Sequence, residues 1–491
     1  MFRHLFLLGL LLWSPFEAAA GILTLDRRLE WSPPALPDLS ARRTEARAVP
    51  VPEPGAFEIA LVPATTLPRL RNRYLEAAAR GAVYGGDRKR IPAIHLLRGT
   101  ADLPAIAARM PEDRRLLVCT ETACELRAPL FIDAGASLVI ADRRLALEAA
   151  RGAMLVTAGR IFLERAELVG SENGRPALFR EAGRFRPFLL VLSGGVGIIR
   201  NSRLSHLGFA AGKAYGLAFA ADARRAPDAP PPTGIVVGSE ITQLYYGFYT
   251  FSAKEMLVLD NLFRDNIRYG IDPHDGSRDL LIAGNRVEGT RERHGIVLSR
   301  RVTDSVVIGN RVSGNGGSGI MLDRRSDRNL VADNIATGNG ADGISIYESN
   351  AIWLLRNILR DNGRTGIRVR NGRGVVLAEN RITANRDAGI RLYTGPSPKT
   401  AAELGAEFMP RLSGLLQDNL LRDNEAADII VKGGGVEWLA LVREGAGKAA
   451  PVVKGDRAWR RALTATAADR EVLLFDSRLV PSPDLIRLPL P

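Results

Sequence analysis

Val306-Val307-Ile308-Gly309-Asn310-Arg311-Val312-Ser313-Gly314-Asn315-Gly316-Gly317-Ser318-Gly319-Ile320 carries the recurring part of a pattern that fills the middle of this 491-residue chain. Its closing pair recurs as Gly270-Ile271, Gly295-Ile296, Gly319-Ile320, Gly343-Ile344, Gly366-Ile367 and Gly389-Ile390, in steps of 25, 24, 24, 23 and 23 residues. A second series keeps pace, because a hydrophobic triplet leads into Asn261, Asn285, Asn310, Asn334, Asn357 and Asn380. Another Asn follows five residues later at Asn266, Asn315, Asn339, Asn362 and Asn385, with Thr290 in the remaining copy. Two registers that drift together mark a stacked repeat.

The unit is built from strands. Each copy carries short β-branched runs with period-2 alternation, such as Val306-Val307-Ile308 and Val375-Val376-Leu377, and lacks room for a helix of ordinary length. Three short strands per coil, bent at Asn and Gly corners, stack at roughly the 4.8 Å spacing of sheet neighbours. The expected fold is all-β, a right-handed parallel β-helix of about 23–25-residue coils. The Ile of each Gly-Ile pair then points inward, and residues two and four places after the Gly point outward on one face. A leucine-rich solenoid has a similar period but needs leucines at several fixed offsets, and they are missing. The Asn corners read as structural, their stacked amides satisfying turn backbone groups.

Outward from the repeat, Arg3 and His4, the apolar run Leu5 to Trp13 and Ala18-Ala19-Ala20 read as a signal peptide over residues 1–20. The run is too short for a comfortable membrane span, which points to an exported, periplasmic chain. Residues 21–114 are expected to form an N-terminal extension, α/β or helical, with a Pro- and charge-rich linker or arm at 31–55 and a helix around Pro68 to Ala82. The β-helix is expected over 115–435, interrupted by a Pro-rich loop at Arg224 to Thr233 and an insertion at about Gly395 to Ser413. Residues 436–491 lose the repeat and are read as a cap, which solenoid ends require. Cys119 and Cys124 allow either a small-loop disulfide or two buried thiols. The formal charge of +13 survives removal of residues 1–20, which takes one cation, Arg3, and one anion, Glu17. A basic exported solenoid without an aromatic-rich binding motif argues against nucleic acid and for an anionic polysaccharide or a membrane surface.

Aligning the coils makes three columns. Two places after the Gly stand Asp272, Val297, Met321, Ser345, Arg368 and Arg391; four places after it stand His274, Ser299, Asp323, Tyr347, Arg370 and Tyr393; five places after it stand Asp275, Arg300, Arg324, Glu348, Asn371 and Thr394. The strip is polar, basic and partly aromatic, which suits an extended polyanion, with Arg324, Arg368, Arg370 and Arg391 for carboxylates and Tyr347 and Tyr393 for sugar faces. The plainer account is that any outer face of a β-helix must be polar.

One copy stands apart. Tyr269-Gly270-Ile271-Asp272-Pro273-His274-Asp275 places two carboxylates and an imidazole where other copies vary. With His294-Gly295-Ile296-Val297-Leu298-Ser299-Arg300 and Asp342-Gly343-Ile344-Ser345-Ile346-Tyr347-Glu348, it resembles the periplasmic mannuronan C5-epimerases of alginate biosynthesis, which share a β-helix and an Asp-Pro-His-Asp motif. The resemblance covers roughly residues 190 to 435 and is strongest around the motif. It implies polymannuronate as the polymer partner and a periplasmic synthesis and export complex as a candidate assembly. It also implies His274 as base and Arg300 as neutraliser of the substrate carboxylate.

The chemistry fits that implication. Inverting C5 of a uronate means removing a weakly acidic proton beside a carboxylate and returning one to the opposite face. An imidazole neutral near pH 7 is suited to the first step, with Asp272 or Asp275 to orient it. Neutralising the carboxylate lowers the barrier to the enediolate. Tyr269 and a groove water are both candidate acids. No cofactor is called for. Asp272, His274 and Asp275 are possible metal ligands, but His294 precedes its Gly whereas His274 follows its own by four residues, an offset of about 16 Å along a strand that keeps the two off one ion. Two rival functions share the features: a polysaccharide lyase that expels the C4 oxygen from the same intermediate, and a noncatalytic scaffold that guides polymer.

Overall fold

The computed structural model describes residues 20–24, 34–80, 83–224, 226–404, 409–442, 452–465 and 471–476. All of the expected signal peptide except Ala20 lies outside them. The chain is a parallel β-helix and divides into two compact units, residues 37–298 and residues 299–491 with the N-terminal strand.

In residues 37–298, the strands of the repeat pair in parallel with those one coil on. Leu204, Ile241, Phe263 and Val287 stack in one ladder and are all fully buried, as are Val236, Val258 and Ile282 in another. Burial of each such side chain contributes about 1.5–3 kcal/mol. Stacking begins earlier than residue 115: Pro92–Asp102 pairs in parallel with Pro129–Ala141 and antiparallel with Phe57–Pro63. Cys119 and Cys124 face each other across an antiparallel hairpin and form a disulfide.

Helices flank these coils. The stretch read as a linker contains helix α1 (Leu39–Ala48), N-capped by Asp38, whose carboxylate accepts from the Ser40 and Ala41 N–H groups at 2.9 and 3.1 Å. It shows no apolar period because only Ala46 of it is buried. Long-range polar contacts hold it instead: Arg43 donates to both oxygens of Asp260 at 2.7 and 2.8 Å, and Arg200 donates to the Arg47 and Val49 carbonyls. Helix α2 (Asn72–Ala79) packs Tyr74 and Leu75 into an apolar cluster with Phe131, Phe188 and Phe209.

In residues 299–491, Ile320, Ile344, Ile367, Ile390 and Ile429 form an inward ladder, matched on another strand row by Val312, Ala336, Leu359, Ile382 and Leu421. The Asn corners form amide chains. Asn310, Asn334, Asn357 and Asn380 each donate Nδ2–H to Oδ1 of the next, ending on Asn419, at 2.9–3.0 Å, and Asn315, Asn339, Asn362 and Asn385 do the same, ending on Asn424. The insertion after Gly395 carries helix α3 (Pro398–Leu404). Parallel stacking continues into the segment expected to be a cap, through Val436–Val442 and Val453–Gly455. Glu471–Asp476 then pairs antiparallel with Val436–Val442 and with Ala20–Thr24, turning the parallel ladder into a closed end.

Candidate active site

The motif lies on the strand Tyr269–His274 of the first unit. Gly270 is required by packing, since a Cβ there would stand 2.4 Å from the Val287 side chain and 2.5 Å from the Gly295 carbonyl oxygen. Alternation puts Asp272 and His274 on the same side, but their surroundings differ. Asp272 is 2 % exposed and lies opposite Tyr249 of the preceding coil, while His274 is half-buried opposite Phe251. The strand ends at His274, and Asp275 after it has a left-handed φ of 44°, so the turn brings its carboxylate onto His274 Nδ1. Ser277 donates to the His274 carbonyl at 2.9 Å and Ser252 to the Asp275 carbonyl at 2.8 Å, so the turn is held from two sides. A carboxylate on Nδ1 selects the Nδ1–H tautomer and leaves the basic lone pair on Nε2.

Asp272 is walled by phenols. Tyr215 stacks on Tyr246 at 4.5 Å between ring centroids and meets Tyr249 edge-on at 4.8 Å, and Tyr246 meets Tyr269 edge-on at 5.0 Å. Burial first, and the Asp272 charge second, push the Tyr246, Tyr249 and Tyr269 hydroxyls above the usual phenol range. They therefore stay protonated at neutral pH. The His294 ring stacks on Tyr269 with centroids 6.0 Å apart.

Sequence reading missed Lys213. Its backbone is left-handed, with φ of 82°, and its ammonium sits over the Phe251 ring, the register partner of His274. Burial, reinforced by the Arg71 charge, pushes its pKa down to about 7, while Asp275 and Asp222 act in the opposite direction. No repeat signal marks it, because it precedes the strand Gly216–Ala220 in a loop outside the Gly-Ile series.

The second unit holds the basic residues, and here the outward-face reading needs correction. Arg300, Arg324, Glu348 and Asn371 have left-handed φ between 48° and 60°, so the five-place column is a row of corners after the strands. Several positions expected to face out are buried: Ser345 is 1 %, Ser299 4 % and Asp323 9 % exposed. Nor are the arginines open charges. Arg370 donates to both Glu348 oxygens at 2.6 and 3.0 Å and covers the Tyr347 ring, the face expected to receive a sugar. Arg391 is bound to Asp387 at 2.6–2.7 Å, and Arg368 reaches Asp342 at 3.0 Å. Arg324 is bonded to Asp323 at 2.6 Å, and Arg300 and Arg324 both donate to Glu403 of α3. Burial alone would raise Asp387, but the Arg391 bonds and charge outweigh it and hold its carboxyl below the usual range.

A cavity of about 530 Å³ opens beside these pairs, lined by Arg364, Arg368, Arg386, Asp387, Arg391, Tyr393 and Lys432. Arg364, Arg386 and Lys432 are exposed, and among the described residues they enter no ion pair. They fall outside the aligned columns, the two arginines in the turns before Gly366 and Gly389, and Lys432 at the end of Ala427–Lys432. This is a strongly cationic surface that can take carboxylates in series.

Residues 294–436 match a family model described as a right-handed beta helix region, and residues 232–330 match one described as a periplasmic copper-binding protein (NosD). Mannuronan C5-epimerase of Pseudomonas putida is 36 % identical over 346 residues, 66 % of this chain and 64 % of that protein. Mannuronan C5-epimerase AlgG of Azotobacter vinelandii is 40 % identical over 270 residues, 53 % of this chain and 51 % of that protein. The chain thus spans between about half and just under two thirds of the length of these curated relatives. A crystal structure of the periplasmic alginate epimerase AlgG superposes with a TM-score of 0.77 at 28 % identity, covering 87 % of this chain and all of the other.

Proposed function

From its homology to the mannuronan C5-epimerases, we propose that this chain is a polymer-level C5-epimerase that converts β-D-mannuronate residues of a uronan to α-L-guluronate. The observation that carries the reading is the Asp275 carboxylate on His274 Nδ1, which turns Nε2 into a base. Nε2 removes the C5 proton, and Arg300 neutralises the uronate carboxylate so that the enediolate forms. A proton then returns to the opposite face from Tyr269 or from a groove water. Burial and the Asp272 charge raise the Tyr269 hydroxyl above the usual phenol range, so it is protonated at neutral pH but a weaker acid than a free phenol. Asp272 and Asp275 orient the site.

Arg324, Arg368, Arg370, Arg391, Tyr347 and Tyr393 would line the polymer's path, with the unpaired cations of the cavity adding charge. Periplasmic work agrees with the Cys119–Cys124 disulfide, which needs an oxidising compartment. Polymannuronate is the partner proposed, met on its way through a synthesis and export assembly. The test is a proton NMR spectrum of polymannuronate after incubation. Guluronate signals support the reading; unsaturated chain ends without guluronate would make the protein a lyase, and an unchanged polymer would make it a scaffold.

A further inference from the structure

Two guanidiniums from successive coils converge on one oxygen in the second unit. Arg300 Nη2 lies 2.9 Å and Arg324 Nη1 3.0 Å from Oε1 of Glu403. Both arginines sit at left-handed corners, with φ of 60° and 53°, which throws their side chains to the same side of the stack. Arg324 is further fixed by Asp323 at 2.6 Å and Ser299 at 3.3 Å. The site is therefore a preformed fork for a carboxylate, and a carboxylate occupies it.

The occupant arrives from far away in sequence, 103 residues beyond Arg300. Helix α3, which carries it, belongs to the insertion and is tied down at its start: Thr400 is buried and donates to Glu348 at 3.2 Å, and Asn371 exchanges hydrogen bonds with the Gly395 backbone at 2.8 and 3.0 Å. The Glu403 end is looser, about one third exposed in its side chain, and its bonds are those of a solvent-facing ion pair.

We propose that Arg300 and Arg324 form one carboxylate-binding site and that Glu403 fills it as an internal stand-in, which a uronate carboxylate of the polymer displaces on binding. This rests on the reading of Arg300 as the residue that meets the substrate carboxylate. The exchange is charge-neutral at the site, one carboxylate leaving for water as another arrives, so neither guanidinium is stranded. A tethered carboxylate competes at an effective concentration in the millimolar range. A short uronate has few other contacts with which to outcompete it, whereas a long polymer engages the cations of several coils at once. Glu403 thus selects for length.

An exposed pair of this strength holds its occupant by up to about a factor of five, which sets the size of the effect. The experiment measures calorimetric affinity for a short mannuronate oligomer on His274→Ala protein with and without Glu403→Gln, so that turnover does not enter. Removal of Glu403's charge is expected to tighten oligomer binding about fivefold and to change polymer binding less. Unchanged or weaker oligomer binding overturns the proposal, as would an equal gain for oligomer and polymer. The two readings fail separately. If the wild type does not convert polymannuronate but Glu403→Gln tightens the oligomer, the reaction falls and the carboxylate site stands. If conversion proceeds and the affinities do not move, the stand-in falls alone.

Discussion

Asn357 and its neighbour Arg356 offer a test of what holds the coils together. The Asn357 side chain is fully buried and makes four bonds. Its Nδ2 donates to the Val331 carbonyl at 2.9 Å and to Asn380 Oδ1 at 3.0 Å, and its Oδ1 accepts from Asn334 N at 3.1 Å and Asn334 Nδ2 at 3.0 Å. In Asn357→Ala the Asn334 amide side chain keeps its bond to the Val307 carbonyl, but the Asn334 backbone N–H loses this acceptor inside the coil. A stranded buried donor costs about 1–3 kcal/mol, and each of the three other lost bonds about 1 kcal/mol more, so the expected loss is about 4–6 kcal/mol. Arg356 makes two bonds to Asp333 at 2.8 and 2.9 Å, yet both side chains are more than one third exposed. Arg356→Ala should therefore cost about 1 kcal/mol or less. Urea denaturation of both variants, read as the shift in midpoint at a common slope, separates the two scales. If Asn357→Ala lost no more than Arg356→Ala, the amide chains would be ornaments of the corners, and the stack would rest on its apolar ladders alone.

His274→Ala should fold normally, by circular dichroism, and lose C5 deuterium exchange by on the order of 10²–10⁴-fold, because the ring lies outside the inward apolar ladders while a general base adds that much rate; retained exchange would remove His274 from the role of base. Arg300→Lys keeps the charge but not the planar fork, so turnover should fall about 10²-fold while polymer affinity changes little, as turnover and binding measured at two salt concentrations would show; wild-type turnover would withdraw Arg300 as the neutraliser. Lys213→Met should alter the pH dependence of stability. With a folded pKa of about 7 against 10.5 for the free side chain, the folded state holds fewer protons than the unfolded between those values, so this group makes wild-type stability rise with pH across that window. The stability gap between variant and wild type should shrink from pH 7 toward 10.5, and a gap independent of pH would contradict the buried ammonium.

Whatever recurs once per coil was legible, because a solenoid repeats its physical demands: Ile320, Ile344, Ile367 and Ile390 fill equivalent interior positions, and each corner Asn finds its copy one turn on. Asp272-Pro273-His274-Asp275 stood out by the same logic, as a break in a known period. Where a strand stops is another matter. Alternation carried through Asp275, Arg300 and Arg324 treats them as strand residues, but their left-handed φ makes them corners, and a corner aims a side chain where no period-2 count can. The remaining features depend on partners distant in sequence. Arg43 finds Asp260 across 217 residues and so turns a Pro- and charge-rich stretch into a docked helix, while Arg300 finds Glu403 across 103. No local pattern encodes such a pair, since either member alone reads as a solvated charge. The basic columns misled for the same reason. A count of arginines along a face is a count of charges before pairing, and here Asp323, Asp342, Glu348 and Asp387 pair with most of them. The field a polymer would feel in this unit is then set less by the columns than by Arg364, Arg386 and Lys432, which the repeat does not mark. Charge reversal at those three should weaken polymer binding more than reversal at Arg370, whose loss would also strand the buried Glu348 carboxylate and register as a loss of stability.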